Sequence, residues 1–161
     1  MIIGIDPGPT DMAVVAINDD KKIIIADHIT TISLFDLEIS HFPKDCLIAI
    51  EDYVIYQPVG QAGRDTIKMI GAIRYLCDKH KRPFVEIPRG DILRHICGAT
   101  KGGDTALRAA VMDRYGGSRK AAWGTKKDKG PLYGLTGSHL LAALGVAITA
   151  DETRKQWEDK E

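Results

Sequence analysis

The feature that most constrains the fold is a series of short β-branched segments that end in acidic or turn-forming residues. Residues 1–5 form the first such run, and Asp6, Pro7 and Gly8 follow it directly. A strand stopped by a tight turn is the structure that this pattern predicts. We therefore expect Asp6 at the carboxyl end of a strand.

The next two apolar runs predict a hairpin. Residues 13–17 and 23–29 are rich in isoleucine, valine and alanine, and the polar residues 18–21 separate them. Polar, turn-prone residues between two strand patterns are typical of a hairpin connection. Three antiparallel strands are therefore expected at the start of the chain.

A second strand also ends in an acid. After a short helix predicted over 34–40, residues 46–50 form a continuous apolar run, as in a strand buried on both faces, and Glu51 follows it. A helical pattern over 63–80 and a strand pattern over 83–87 come next. Strand, helix and strand in this order predict a parallel crossover.

The second half of the chain is predicted to be mainly helical. The expected helices cover residues 91–97, 104–115 and 138–150. A glycine-rich loop over 98–103 separates the first two, and Asp104 is expected to cap the second. Residues 116–133 have no apolar period and many helix breakers, which favours a long, mobile loop.

Composition limits the class of protein. The length of 161 residues suits one domain, expected over 1–150 with a charged tail over 151–161. The 22 basic residues balance the 22 acidic residues, so any attraction to a polyanion has to be local. The three cysteines form no C-x-x-C pair, and no apolar run approaches the roughly 18 residues of a membrane span. We therefore expect a soluble cytoplasmic protein.

Asp6 and Glu51 are the strongest catalytic candidates. Both follow strand patterns that the predicted order makes neighbours, and open α/β sheets carry sites at the carboxyl ends of strands. Magnesium and manganese favour oxygen ligands, and two ions about 4 Å apart can stabilise the attacking and leaving oxygens of phosphodiester hydrolysis. Taken singly, either acid is explained as well by turn formation or a solvated strand end. Together they favour a metal site that cuts nucleic acid.

Several segments, in the right order and spacing, resemble the RuvC family of Holliday-junction resolvases. The matching segments are residues 4–8, 48–51, 71–73, 87–88 with 92–93, 98–103 and 142–147. The resemblance implies an α/β, RNase H-like fold, with a mixed five-stranded sheet of three antiparallel strands followed by parallel strands, flanked by helices. It also implies a role in DNA recombination and repair.

The activity that the resemblance implies is resolution of a four-way DNA junction. A homodimer would make paired, symmetric nicks that leave 5′-phosphates, with two Mg²⁺ or Mn²⁺ ions per active site. The helix starting near Gly63 is the family's dimer surface by resemblance, although its apolar stripe could equally face its own sheet. A phage-encoded member in a bacterial cell is one interpretation of the short length and altered motifs.

The closing helix departs from the family's pattern, which places two metal-binding side chains three residues apart. The match puts His139 at the first position and Ala142 at the second. Neutral imidazole can ligate a metal or accept a proton, but a methyl group cannot ligate. Three explanations are open: an inactivating substitution in this chain, which we favour from the sequence; a natural site of Asp6, Glu51 and His139; or a protein that binds junctions without cutting them.

Local charge predicts contact with DNA. A basic, glycine-rich stretch that includes Trp123 contains Arg114, Arg119, Lys120, Lys126, Lys127 and Lys129. Such residues bind phosphates by counterion release, and a tryptophan face can stack on an unpaired base, although a packed indole explains Trp123 equally well. Lys101 and Arg108 are further phosphate-binding candidates.

Weaker candidates for DNA contact lie closer to the two acids. Arg89 and Arg94 are possible phosphate ligands, and Asp104 stands where resolvases place a lysine. Tyr53 and Tyr56 follow Glu51 in a region that resembles the family's junction-facing loop, where an aromatic ring can wedge between bases. Packing explains either tyrosine about as well.

Three other functions stay open from the sequence. A phage debranching nuclease that acts on several branched DNAs is the nearest competitor, and a non-catalytic junction-binding protein is the second. The third is an actin-like nucleotide-binding domain, which shares the fold and an early strand-Asp-Gly turn. That class usually needs a second lobe, for which 161 residues leave no room.

Overall fold

The computed structural model describes residues 1–55 and 58–154, in which helices cover both faces of one sheet. The strands are β1 (Ile2–Pro7), β2 (Met12–Ile17), β3 (Ile23–Ile29), β4 (Leu47–Asp52) and β5 (Phe84–Pro88). The helices are α1 (Ile32–His41), α2 (Gln61–Lys79), α3 (Arg89–Cys97), α4 (Gly103–Arg114), α5 (Arg119–Trp123) and α6 (Ser138–Glu152). None of the helices in this part of the chain combines the length and hydropathy needed to cross a membrane.

The sheet has the predicted mixed topology. Its strand order is β3-β2-β1-β4-β5, with antiparallel pairing from β1 to β3 and parallel pairing of β4 with both β1 and β5. The parallel crossover from β4 to β5 runs through α2, as the sequence pattern indicated. The predicted fold class, an RNase H-like mixed sheet flanked by helices, is confirmed.

Alternate side chains of the sheet fill two separate cores. On one face, Ile3 and Ile5 of β1 pack with α1 and α2, and on the other Ile2 packs with α3, α4 and α6. The apolar stripe of α2, which includes Ile70 and Ile73, belongs to the first core. Of the two interpretations of this stripe, packing on the chain's own sheet is therefore the one observed.

Helix α6 lies directly on β1, and Gly4 makes this close approach possible. A Cβ atom at Gly4 would lie 2.1 Å from the carbonyl oxygen of Ala143 and 2.6 Å from the amide nitrogen of Ala147. Both of these atoms belong to the backbone of α6, which cannot move aside as a flexible side chain could. This contact fixes the start of α6 beside the carboxyl end of β1.

The prediction of a long loop over residues 116–133 is wrong where α5 forms. Trp123 ends this helix, and a tight turn returns the chain so that Leu132 N donates to the Ala122 carbonyl oxygen at 2.8 Å. Ala122 and Leu132 are both fully buried. A helix of five residues is too short to show a helical period, so its packing could not be recognised from sequence.

Two predicted helix boundaries also change. Helix α4 begins at Gly103 with Gly102 as its N-cap, so Asp104 lies in the first turn and does not cap the helix. The Asp104 carboxylate is held instead by Arg89. Helix α6 continues beyond the predicted end to Glu152, and residues 155–161 of the predicted tail lie outside the described residues.

Glu152, at the end of α6, binds three basic side chains. Its carboxylate accepts hydrogen bonds from Lys21 Nζ at 2.6 Å, His95 Nε2 at 2.7 Å and Arg114 Nη1 at 2.8 Å. Burial acts to raise the pKa of Glu152, but the hydrogen bonds outweigh it and lower the pKa to about 2. Arg114 therefore lies at the far end of α6 from His139 and is not brought together with the other basic residues predicted to bind DNA.

We expect Glu152→Gln to lower the free energy of unfolding by about 1–2 kcal/mol at pH 7, because three charge-assisted hydrogen bonds are weakened. The folded pKa of about 2 lies below the ordinary 4.5, so the carboxylate's contribution is complete above pH 4.5 and is lost as the pH falls through 2. Urea denaturation at pH 7 and at pH 2 measures this difference. Asp151→Asn is the matched control, since Asp151 lies 3.9 Å from Lys21 and should contribute little. If Glu152→Gln lowered the free energy of unfolding equally at pH 7 and at pH 2, the ionised Glu152 carboxylate would not be the stabilising group.

Candidate active site

The structure brings Asp6 and Glu51 together at the carboxyl ends of neighbouring strands. Ile5 of β1 pairs with Ile50 of β4, and the two acids are the next residues on their strands. The side chains of Asp6 and Glu51 are only 16% and 17% exposed. Two partly buried carboxylates side by side repel each other, which is an arrangement suited to binding a cation.

His139, at the start of α6, joins this pair as the sequence indicated. Its Nδ1 atom donates a hydrogen bond to Asp6 Oδ2 at 2.8 Å. The imidazole is 71% exposed, so its far edge, which carries Nε2, faces solvent. The bond to Asp6 raises the pKa of His139.

The role of Arg89, the first residue of α3, was not predicted from the sequence. Its Nη1 atom donates to Glu51 Oε2 at 2.9 Å, and its Nη2 atom donates to Asp104. Arg89 therefore bridges an acid at the end of β4 and an acid in the first turn of α4. The one available signal was its position directly after β5. Because β5 runs parallel to β4, the carboxyl ends of these two strands lie side by side.

The protonation of both carboxyl groups reflects their burial. Burial raises the pKa of Glu51 to about 7; Arg89 acts to lower it, and the neighbouring Asp6 charge adds to the rise. Burial also raises the pKa of Asp6, although the hydrogen bond from His139 acts in the opposite direction. Perturbed carboxyl groups of this kind are typical of functional sites, although structural ion pairs produce them too.

The oxygens of the two acids fit a divalent ion in part. Asp6 Oδ2 and Glu51 Oε2 bind His139 and Arg89, whereas Asp6 Oδ1 and Glu51 Oε1 accept no hydrogen bond from a described residue. Mg²⁺ is commonly held by one or two carboxylates, with water and substrate phosphate completing its shell. Across residues 1–55 and 58–154, however, no group of three or more His, Cys, Asp or Glu side chains is arranged to hold an ion.

Ala142 contributes no ligand. It lies one helical turn after His139, is 4% exposed and belongs to the core between α6 and the sheet. The chain therefore presents a methyl group where the RuvC pattern places its last metal-binding side chain.

A basic cleft lies beside the start of α6. It has a volume of about 630 Å³ and is lined by Arg108, Arg119, Lys120, Trp123, Gly124, Leu135, Thr136 and Gly137. None of these lining residues is acidic, and Gly137 directly precedes α6. The structure thus brings three of the predicted DNA-binding residues together, next to the helix that carries His139.

Trp123 supports this cleft and is only partly exposed. Its Nε1 atom donates to the Leu135 carbonyl oxygen at 2.9 Å, and the guanidinium of Arg108 lies 5.1 Å from the ring centroid. A cation–π contact of this kind orients the guanidinium. The indole is therefore held by packing and by Arg108, which favours the packed interpretation over base stacking.

The remaining predicted DNA-binding residues are more scattered. Lys101 is exposed in the glycine-rich loop, and Lys126 and Lys127 are exposed in the turn after α5. Tyr53 is 42% exposed shortly after Glu51, whereas Tyr56 lies outside the described residues. Arg94 pairs with Asp91 on its own helix, so it is not brought into the site.

Comparisons with known proteins give a match at the level of structure. No family model and no curated protein matches the sequence. The chain is similar to Thermus thermophilus RuvC, with a TM-score of 0.66 and 19% identity, over 97% of this chain and 96% of that one. It is also similar to T. thermophilus RuvC in complex with a Holliday junction substrate, with a TM-score of 0.64 and 17% identity, over 96% of this chain and 94% of that one. The chain therefore has the RNase H-like α/β fold of RuvC.

Proposed function

We propose that this protein is a structure-specific endodeoxyribonuclease that resolves four-way DNA junctions by paired, metal-dependent nicks. The observation that carries the proposal is the pairing of Asp6 and Glu51 at neighbouring strand ends, within a fold shared with RuvC. A solved RuvC structure of this fold holds a Holliday junction substrate, which supports branched DNA as the substrate class.

In this proposal the carboxylates of Asp6 and Glu51 would hold Mg²⁺ or Mn²⁺. The ion would supply Lewis-acid stabilisation of charge on the phosphate and on the attacking water. The water oxygen forms a bond to phosphorus as the bond to the 3′ oxygen breaks, which leaves a 5′-phosphate and a 3′-hydroxyl. His139 accepts the water's proton at Nε2, and the departing oxygen takes a proton from solvent.

Asp6 has a second role in this scheme, as the residue that orients His139. Because Asp6 Oδ2 accepts the hydrogen bond from His139 Nδ1, the imidazole keeps Nε2 open toward solvent. A carboxylate that fixes the tautomer and orientation of a histidine base is a recurring arrangement in hydrolases. In place of the inactivating substitution favoured from the sequence, we propose that Asp6, Glu51 and His139 suffice for cleavage with Ala142 in place, because the two acids meet at neighbouring strand ends and His139 is bonded to Asp6.

The basic cleft beside α6 is proposed to bind the DNA backbone. Arg108, Arg119 and Lys120 line it together with no acidic lining residue, so their charge is available to a phosphate. Lys101, Lys126 and Lys127 are proposed to extend this surface. Tyr53, exposed on the segment after Glu51, is proposed to stack on a base at the junction.

A homodimer follows from the chemistry of resolution. Two cuts on strands related by a two-fold axis need two identical active sites in the same relation, and a C₂ dimer supplies them. The outward face of α2, which carries the exposed Tyr75, is the proposed contact, because its apolar stripe is already covered by the sheet.

One observation favours a second candidate function. Ala142 removes a ligand from the site, so a junction-binding protein without catalysis is the alternative. A broader debranching nuclease that acts on several branched DNAs shares the active site proposed above and differs only in its substrates. Binding and cleavage therefore need separate measurements.

For binding, we expect the double variant Arg119→Ala/Lys120→Ala to lose about tenfold or more in junction affinity. The slope of log affinity against log salt concentration should fall by the equivalent of about two phosphate contacts. Gel shifts with a four-way junction and a linear duplex, in EDTA, measure this. The matched control is Lys22→Ala/Lys44→Ala, which removes the same charge from exposed positions outside the cleft and outside α2. Equal affinity of the unmodified chain for junction and duplex would overturn the junction-specific proposal.

A further inference from the structure

We propose that the active site takes one divalent ion, and that the guanidinium of Arg89 supplies the positive charge that a second ion would otherwise bring. This inference rests on the proposed function, since it concerns the same site. It differs from the two-ion arrangement that the family resemblance implies.

The first observation is the position of Arg89 between two acids. It bonds to Glu51 Oε2 through Nη1 and to Asp104 through Nη2, and its side chain is 28% exposed. Arg89 begins α3 directly after β5, while Asp104 lies in the first turn of α4. The guanidinium thus lies at the carboxyl ends of the strands, where a cation shared by these acids would be expected.

The second observation is the number of free carboxylate oxygens. Asp6 keeps Oδ1 and Glu51 keeps Oε1, because the other oxygen of each accepts a hydrogen bond within the described residues. One oxygen from each acid is enough to hold a single Mg²⁺ together with water and a phosphate oxygen. Position 142 has a methyl group and offers a second ion no ligand. Beyond His139 Nε2, a second ion would therefore need the carboxylate oxygens that bind Arg89.

The third observation is the charge of the site before DNA binds. The carboxylates of Asp6, Glu51 and Asp104 carry at most three negative charges, and Arg89 compensates one of them. His139, which is bonded to Asp6, adds a further positive charge when it is protonated. One divalent ion is therefore enough to neutralise these groups. A second divalent ion would leave at least two positive charges uncompensated in a partly buried site, which is energetically unfavourable.

The test counts bound ions without DNA. Mn²⁺ is titrated into the unmodified chain, Arg89→Gln, Arg89→Lys and Arg94→Gln, and electron paramagnetic resonance of free Mn²⁺ gives the number bound. We expect one ion per chain for the unmodified protein and two for Arg89→Gln, because that change frees the Glu51 and Asp104 carboxylates. Arg94→Gln is the control and should bind one ion, since Arg94 pairs with Asp91 outside the site.

Arg89→Lys keeps the positive charge and should bind one ion, so it serves if Arg89→Gln does not fold. Two ions, or none, on the unmodified chain would overturn the proposal. A count of one for Arg89→Gln would show that Arg89 is only a structural ion pair, and a count of two for Arg89→Lys would show that its charge does not exclude a second ion. Because no DNA is present, these counts are separate from the success or failure of the nuclease proposal.

Discussion

Replacing Asp6 by asparagine is expected to abolish cleavage, lowering the rate of junction nicking by about a thousandfold or more. Asp6 supplies one of the two free carboxylate oxygens and also orients His139, so its removal affects both ion binding and proton transfer. Stabilisation of the transition state by a bound metal is worth several kcal/mol, and each 1.36 kcal/mol is about tenfold in rate. Single-turnover cleavage of a labelled four-way junction measures the effect.

Asp6→Asn should leave the fold and junction binding intact, which separates its effect from misfolding. Burial raises the pKa of Asp6, so a neutral amide there costs no more to bury, and the free energy of unfolding should change by less than about 1 kcal/mol. Asp11→Asn is the matched control, since Asp11 is 46% exposed and pairs only weakly with His28 at 3.4 Å. Normal nicking by Asp6→Asn, or an equal loss in Asp11→Asn, would refute the role assigned to Asp6.

The largest effect on stability is expected from Gly4→Ala, which should lower the free energy of unfolding by about 3 kcal/mol or more. The added Cβ would meet the backbone of α6 at 2.1 Å from the Ala143 carbonyl oxygen, so the helix has to move away from β1. Because α6 also carries His139, the same movement should separate that residue from Asp6. Urea denaturation measures the stability loss, and the junction assay should show a fall in cleavage.

Gly71→Ala provides the matched control for this substitution. Gly71 is exposed in α2, and a Cβ atom there meets nothing within 4 Å. Alanine has a higher helix propensity than glycine, so this change should stabilise the protein by up to about 1 kcal/mol. If Gly4→Ala proved as stable as Gly71→Ala, the close packing of α6 on β1 would be wrong.

The sheet could be predicted from sequence because its signals are local. The run at residues 46–50 and the polar turn at 18–21 mark strands and a hairpin without knowledge of the rest of the chain. The strand order also predicts that β1 and β4 are parallel neighbours. Asp6 and Glu51 could therefore be placed side by side at the carboxyl ends of these strands. Helix α5 could not be predicted, because a helix of five residues is too short for a helical period of apolar residues to appear in the sequence.

The ion pairs of the site escaped prediction for a different reason. Arg89 and Glu51 are separated by 38 positions in the sequence, and no pattern in either segment indicates that they meet. Asp104 has the residue type of a helix cap, yet the structure uses it as a partner of Arg89. Arg114 lies in a basic stretch of sequence but turns toward Glu152 at the other end of α6. In each case the partner is set by tertiary packing.

Paired nicking of a four-way junction is the measurement that tests the central claim most directly. The unmodified chain is incubated with Mg²⁺ and a junction labelled in turn at the 5′ end of each strand, with a linear duplex as the control substrate. We predict nicks at symmetric positions on two opposing strands, with 5′-phosphate ends, no nicks without Mg²⁺ and none on the duplex. A junction that the unmodified chain binds but never cuts, while Ala142→Asp cuts it symmetrically, would contradict the claim that Asp6, Glu51 and His139 suffice.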